Sequence, residues 1–404
     1  MDVRKVLPLA WKWVELREVC NKVHSVKRKE MDNEQQFLYF DIGSINNGTN
    51  TIKDYKEYKW KSAPSRAQQI IAKDDILFST VRTYLKNIAL VDNAKYEGQI
   101  ASSGFCVIRA NKNLIDPKFI FFYSISEGFL GPLSKLQTGS SYPAVRDRDV
   151  FSQGVPLPPK KIQQNIVSKI EELFRELDDG AFCIRFAQQQ LITYRDSCLK
   201  EAFDRLETPE IWNVEECCSN IVDCLHSTAI FKESGYYCVD TTCISDRGIL
   251  FEKMRYVSEE TFFERISRLK PVEGDILFAR EGTIGTTLVV PPNIELCLGQ
   301  RMMMFRTRQN VIPKFFAYYF QSPSFKEQYK PLINGTTAPH LNIKDIKKLK
   351  VPIVSIERQR KIVEILDDKL SITEKLADIL GQSGEQLSTL RQGILRNAFE
   401  GKLI

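Results

Sequence analysis

Apolar and small residues between 156 and 206 recur in steps of three and four: Ile162, Ile166, Ile170, Leu173, Leu177, Ala181, Ile184, Ala187 and Leu191. That spacing places them on one face of an α-helix. The stretch 351–404 does much the same with Ile362, Leu366, Leu376, Leu380, Leu387, Leu390, Ile394 and Ala398. Forty-odd helical residues reach about 65 Å at about 1.5 Å per residue. A helix that long with one apolar stripe needs a partner, and each stretch offers the other a matching stripe. An antiparallel coiled coil is the expected result. Gly180, Gly381 and Gly384 interrupt the pattern at about 1 kcal/mol each, which leaves open whether the rods are straight or kinked there. Ahead of each helix lies a mixed region, 1–155 and 207–350. The short apolar runs 76–78, 88–91 and 106–108 read as strands, as do 276–278, 288–290 and 302–305. A proline-marked junction closes each mixed region: Val155-Pro156-Leu157-Pro158-Pro159, and Val351-Pro352 followed by Ser355, a suitable N-cap.

These parallels extend to the residues themselves. Asp75-Ile76-Leu77-Phe78 recurs as Asp275-Ile276-Leu277-Phe278, and Pro117-Lys118-Phe119 as Pro313-Lys314-Phe315. Gly139-Ser140-Ser141-Tyr142-Pro143 matches Gly335-Thr336-Thr337-Ala338-Pro339. Val155-Pro156, Gln163 and Ile166-Val167 match Val351-Pro352, Gln359 and Ile362-Val363, and Trp13 pairs loosely with Trp212. Matches in one order at nearly one offset, about 200 residues, indicate a duplicated two-part module, too long in period for a solenoid. The expected domains are 1–155 and 207–350, with helical spacers at 156–206 and 351–404.

Charge sharpens this division. The two spacers each carry eight basic and eight acidic residues and are neutral. Residues 1–155 carry 23 basic and 17 acidic residues, which accounts for the whole net charge of +6. Residues 207–279 sum to −7 and 280–350 to +7. Each mixed domain therefore has a basic region and the rods do not, as a bipartite reader of DNA requires. The 404 residues are 43% hydrophobic and 27% charged, which excludes a disordered or fibrous chain. No apolar run is long enough to span a bilayer, and no basic-then-apolar leader opens the chain, so a cytoplasmic protein without a membrane partner is expected.

Catalytic constellations are scarce. There is no GxxxxGK[ST] phosphate loop, no strand-linked GxGxxG and no Asn-Pro-Pro-Phe-type tetrapeptide. Histidines number three, His24, His226 and His340. Cys217, Cys218, Cys224 and His226 cluster, but without the CxxC spacing of a zinc site, so thiols rather than a metal are expected.

Polar loop residues near the repeated motifs look more like readers than catalysts. Ser79, Arg82, Thr83 and Tyr84 follow the first Asp-Ile-Leu-Phe strand, and Arg280, Gly282 and Thr283 follow the second, with Arg301 beyond. Ser140, Ser141, Tyr142 and Arg146 form a second loop, matched by Thr336, Thr337 and His340. Arginine suits guanine edges, while hydroxyls and backbone amides suit phosphates. A turn that caps the junction to the helix explains the Gly-Ser/Thr loops equally well. Lys27 and Arg28 could bind backbone phosphate or simply face solvent. Ile166, Ile170, Leu173, Leu177, Ile362, Leu366, Leu376 and Leu380 are candidates for a subunit interface.

The order domain, helix, domain, helix resembles the specificity subunit of type I restriction–modification enzymes. The residues that carry the resemblance are Gly274 to Arg280 with Gly282 and Ile284-Gly285, the weaker Asp75 to Ser79, and the two junctions leading into Gln163 and Gln359. The resemblance covers essentially the whole chain. Tyr84-Leu85-Lys86 departs from Thr283-Ile284-Gly285, and Gln163-Gln164 from the expected Glu-Gln pair. It implies an α+β fold with two target recognition domains and a pseudo-twofold repeat, in which two long helices pack as an antiparallel coiled coil. It further implies a bipartite duplex DNA site with an unread spacer, read without catalysis by this chain. Partners would be two methyltransferase subunits carrying S-adenosylmethionine, and restriction subunits carrying ATP and Mg²⁺; no cofactor would be bound here. Because the loops of the two domains differ, the site should be asymmetric. A structural adaptor, or a methyltransferase or nuclease with an unfamiliar motif, remains open at this point.

Overall fold

The computed structural model describes residues 7–139, 141–225, 227–245, 248–335 and 339–404. Packing divides the chain into two compact units: Met1–Cys183 with Ser383–Ile404, and Ile184–Gln382. Each unit thus takes one end of both long helices, Lys160–Asp204 and Ile356–Phe399. This differs from the division into four consecutive segments, for a reason given by the aromatic contacts below.

In the first unit, an antiparallel sheet has the order Cys20–Asn21, Phe105–Ala110, Ile76–Ser79, Ile88–Leu90. Every residue of Ile76–Ser79 is buried, which explains its continuous apolar run. Ile76 and Phe78 join a core with Phe119, Phe129 and Ile166, while Leu77 joins another with Phe40 and Phe105. A second sheet has the order Lys56–Lys59, Gln36–Phe40, Ile100–Ser102, Ala67–Ile70, and its middle pair is parallel. The second unit repeats the first sheet strand for strand: Cys218–Asp223, Met302–Thr307, Ile276–Ala279, Thr287–Val289. Its other sheet also holds one parallel pair, Tyr236–Val239 with Leu296–Leu298. The fourth strand differs. It lies beside Ile100–Ser102 in the first unit and beside Arg255–Val257 in the second.

Three repeated contacts explain the repeated residues. First, Asp75 accepts from Arg109 Nε at 2.8 Å and Nη2 at 2.7 Å, and from the Ala72 amide at 2.7 Å. Asp275 does the same with Arg306 at 2.8 and 2.7 Å and the Val272 amide at 2.8 Å. The motif aspartate is therefore a buried fork that ties two strands, in bidentate geometry. Burial pushes the Asp75 carboxyl above its usual range, against the pull of Arg109. Second, buried Gln163 accepts the Asp116 amide at 2.7 Å and donates to the carbonyls of Pro158 at 2.9 Å and Leu114 at 3.2 Å. Gln359 accepts from Ile312 at 2.8 Å and donates to Val354 at 2.9 Å and Asn310 at 3.0 Å. Third, Phe119 and Tyr123 pack edge-on against Phe399, whereas Phe315 and Tyr319 pack against Phe203. The far end of each long helix is therefore buried on the domain of the other repeat, and that exchange sets the unit boundaries.

The helices pair antiparallel within each unit. Asp178 meets Arg391 in the first, and in the second Arg195 lies 3.9 Å from Glu374 and Lys369 3.8 Å from Glu201. Both helices run unbroken through Gly180, Gly381 and Gly384. At Gly180 a Cβ would lie 3.9 Å from Leu387, in ordinary contact, so the partner helix packs over this position without requiring a glycine. Pro156 and Pro352 sit in short strands, Gly154–Leu157 and Lys350–Ile353, and do not open the helices. Register places Trp13 opposite Pro156 but Ile211 opposite Pro352, so Trp212 is one residue out of step with Trp13.

The expected subunit-interface stripe is largely consumed by these packings. Ile166, Ile170 and Leu366 are 0, 0 and 1% exposed and belong to the unit cores, so they face their own chain. Leu177 and Ile362 pack on those cores, and Leu173 and Leu380 are half-buried. Leu376 alone of the eight is exposed, at 44%.

Candidate nucleic-acid interface

In the first unit the strand Ile76–Ser79 runs into a turn that the structure joins to the Gly139 loop. Val145 donates to the Thr80 carbonyl at 2.9 Å, and the Arg82 amide to Pro143 at 2.7 Å. Thr138 and Ala144 exchange two backbone bonds of 2.9 Å, which pinches the Gly139 loop at its base. Arg82 has φ +49°, a left-handed backbone that costs a non-glycine residue about 1 kcal/mol. Its guanidinium lies 4.6 Å over the Tyr142 ring and donates to the Ser141 carbonyl at 3.1 Å. No carboxylate among the described residues pairs with Arg82. Tyr142 is 70% exposed and Tyr84 58%, with Ser141 and Arg146 exposed beside them. The Arg82–Tyr142 stack thus joins the two separate sequence stretches, and each stretch carries a further exposed residue, Tyr84 or Arg146. Cations over aromatic faces suit phosphates and base faces.

The second unit keeps this frame. Leu341 donates to the Arg280 carbonyl at 2.9 Å, and Asn334 and His340 exchange two 2.9 Å bonds. Its side chains differ. Arg280 matches Thr80, not Arg82, and Gly282 takes the left-handed position with φ +68°. Arg280 is 7% exposed and is held by Asp223 at 3.1 Å and Glu281 at 3.0 Å. This corrects its assignment as a base reader: two carboxylates occupy its donors inside the loop. Arg301, φ +70°, is more exposed and shares Glu281 at 3.5 Å. Thr283 donates to the Thr241 carbonyl at 3.3 Å, and His340 is half-buried.

Two first-unit candidates are corrected in the same way. Ser79 is 1% exposed and bonds the Val81 carbonyl at 3.0 Å, and Thr83 is 2% exposed and accepts from Gln137. Both hold the turn from within. Lys27 pairs with Glu30 at 3.2 Å, and Arg28 donates to the Ala63 carbonyl at 2.5 Å, beside the other sheet. Ser140, Thr336 and Thr337 lie outside the described residues, as does His226. Cys217, Cys218 and Cys224 are buried free thiols, and no group of residues among those described could hold a metal ion.

Sequence reading missed one repeated element. Asp41, paired with Lys56 at 2.6 Å, and Asp240, paired with Arg255, each precede a short hairpin. The signal was present as Asp41-Ile42-Gly43-Ser44-Ile45 against Asp240-Thr241-Thr242-Cys243-Ile244, but only two of five positions are identical.

Comparison with known proteins bears on this geometry. Residues 8–180 and 232–380 match the family model described as type I restriction modification DNA specificity domain. The chain is 22% identical over 335 residues to the EcoBI specificity subunit of Escherichia coli, covering 76% of this chain and 70% of that one. It is 23% identical over 330 residues to the MjaVIII specificity subunit of Methanocaldococcus jannaschii, covering 75% and 74%. A solved chain from a study of complex assembly and conformational transition of the type I R-M system superposes with a TM-score of 0.80. Its identity is 28%, with coverage of 98% of this chain and 100% of that one. The HsdS subunit of Thermoanaerobacter tengcongensis gives 0.56 at 28% identity, covering 99% of each chain. With both repeats matched and the paired reader frames in place, the chain belongs to the type I restriction–modification DNA specificity family.

Proposed function

We propose that this chain chooses the DNA sequence for a type I restriction–modification enzyme and performs no chemistry itself. Each unit reads one half of a bipartite duplex site. Methyltransferase subunits assemble on the chain with S-adenosylmethionine, and restriction subunits bring ATP and Mg²⁺. The observation that carries this reading is the repeated loop frame with unlike side chains. Arg82 and Tyr142 form a stacked, uncompensated cation–aromatic surface in the first unit. In the second, the same backbone position is Gly282, and Arg280 is neutralised from within. Two frames with unlike surfaces suit two unlike half-sites. Candidate contacts in the first unit are Arg82, Tyr84, Ser141, Tyr142 and Arg146. In the second they are Gly282, whose lack of a Cβ lets backbone approach closely, and Arg301.

The test is selection of bound sequences from a randomised duplex pool by the full chain with its methyltransferase subunits. The expected result is an asymmetric bipartite site bound with steep salt dependence. A perfect palindrome, or no sequence preference, would refute the proposal.

A further inference from the structure

We propose that Asn47, at the tip of the hairpin over residues 45–52, reads a base edge in the half-site of the first unit, and that adenine is the base it fits. This rests on the DNA-reading function proposed above. The hairpin pairs Ile45 with Ile52 and Asn46 with Thr51. Its tip is held in one shape from three sides. The Asn46 side-chain oxygen accepts the amides of Gly48 at 3.0 Å and Thr49 at 3.4 Å. The Thr49 and Thr51 hydroxyls lie 2.7 Å apart. Asn50, with φ +54° and 9% exposure, donates its amide to the carbonyls of Lys86 at 2.9 Å and Ile88 at 3.2 Å. Lys86 ends the turn that begins at Arg82, so the hairpin is fastened directly to the candidate DNA-contacting loop.

Within this rigid tip Asn47 is exposed, and its side chain makes no hydrogen bond among the described residues. An asparagine amide carries a donor and an acceptor side by side. That pair matches the N6 donor and N7 acceptor of adenine in the major groove. Preorganisation matters here, because a loose tip would lose ordering entropy on contact.

Comparison of the two units supports a reading role over a merely structural one. The second unit has a hairpin in the same place, Ile244–Ser245 with Gly248–Ile249, following Asp240 as the first follows Asp41. It packs against Thr287–Val289 as the first packs against Ile88–Leu90. In sequence, four residues, Asn47 to Asn50, separate the first pair of strands, and two, Asp246 and Arg247, which lie outside the described residues, separate the second. A repeated scaffold with tips of different length and chemistry is what unlike half-sites demand.

The experiment compares wild type, Asn47→Ala and Asn47→Asp as full chains with their methyltransferase subunits, selecting from a randomised duplex pool. Thermal melting of each chain confirms the fold, which an exposed tip residue leaves unchanged. In Asn47→Ala, adenine preference at one position of one half-site should fall on the order of tenfold, and the other half-site should be unchanged. Asn47→Asp should lose adenine there and move toward cytosine, whose N4 amine donates to a carboxylate. Unaltered preferences in both variants would overturn the proposal while leaving the DNA-reading function intact. A uniform loss across all sequences would also overturn it, since that marks a phosphate contact. If wild type selects no sequence at all, the function itself falls.

Discussion

Replacing Gln359 by leucine removes one acceptor and two donors from a fully buried position while roughly keeping the volume. The side chain is 0% exposed and bonds the Ile312 amide and the carbonyls of Asn310 and Val354. Each buried group left without a partner costs about 1–3 kcal/mol. Three stranded backbone groups, partly relieved by local relaxation, should cost about 3 kcal/mol. In a unit of roughly 200 residues that lowers the melting temperature by about 6–12 °C. Two units need not melt together, so hydrogen exchange of individual amides is the better assay. The Ile312 amide should exchange faster, and amides of the first unit should stay protected. Gln163→Leu should produce the mirror result at Asp116, because it makes the same three bonds. A loss below about 1 kcal/mol, or an Ile312 amide exchanging as in wild type, would refute the idea that these glutamines lock helix to domain.

Other outcomes follow from the same contacts. Asp275→Asn leaves Arg306 without its carboxylate at a site where the aspartate is buried, and should cost about 2 kcal/mol in thermal melting; a change under about 0.5 kcal/mol would deny the fork a structural role. Burial pushes the Cys20 and Cys217 thiols up to about 12, whereas Cys183 is exposed. A thiol-specific reagent at pH 8 should therefore modify Cys183 first, half-buried Cys20 more slowly, and leave Cys217 until the protein unfolds; rapid labelling of Cys217 would contradict its burial. The sign of the stability change is also set. These raised values leave stability intact below the thiol range of the unfolded chain, and it is lost as pH rises from about 9 toward 12. A urea midpoint that rises over that interval would count against it.

Much of the fold was legible because it rests on local pattern. The long helices follow from steps of three and four, and the central strands Ile76–Ser79 and Ile276–Ala279 from apolar runs buried on both faces. The second sheet was not legible. Its parallel pairs join strands about sixty residues apart, and no local period encodes a partner that distant. Gly180 was read as a possible break on propensity alone. The helix continues there because a packed partner near Leu387 outweighs about 1 kcal/mol of propensity. Among the candidate contacts, residue type predicted arginines but not their company. Arg82 and Arg280 look alike in a sequence, yet one stacks on Tyr142 without a counter-charge and the other is held by Asp223 and Glu281.

By itself, then, the sequence determined the duplication, the rods, the central strands and the absence of a GxxxxGK[ST] phosphate loop and an Asn-Pro-Pro-Phe-type tetrapeptide. These are properties of residue order and period. Tertiary structure alone decided which repeated residues are locks and which surfaces stay open. The motif aspartates, the junction glutamines and the helix-end phenylalanines proved to be internal fasteners. Burial and charge pairing are set by neighbours brought from as far as 280 positions away, and a linear reading holds no measure of that distance.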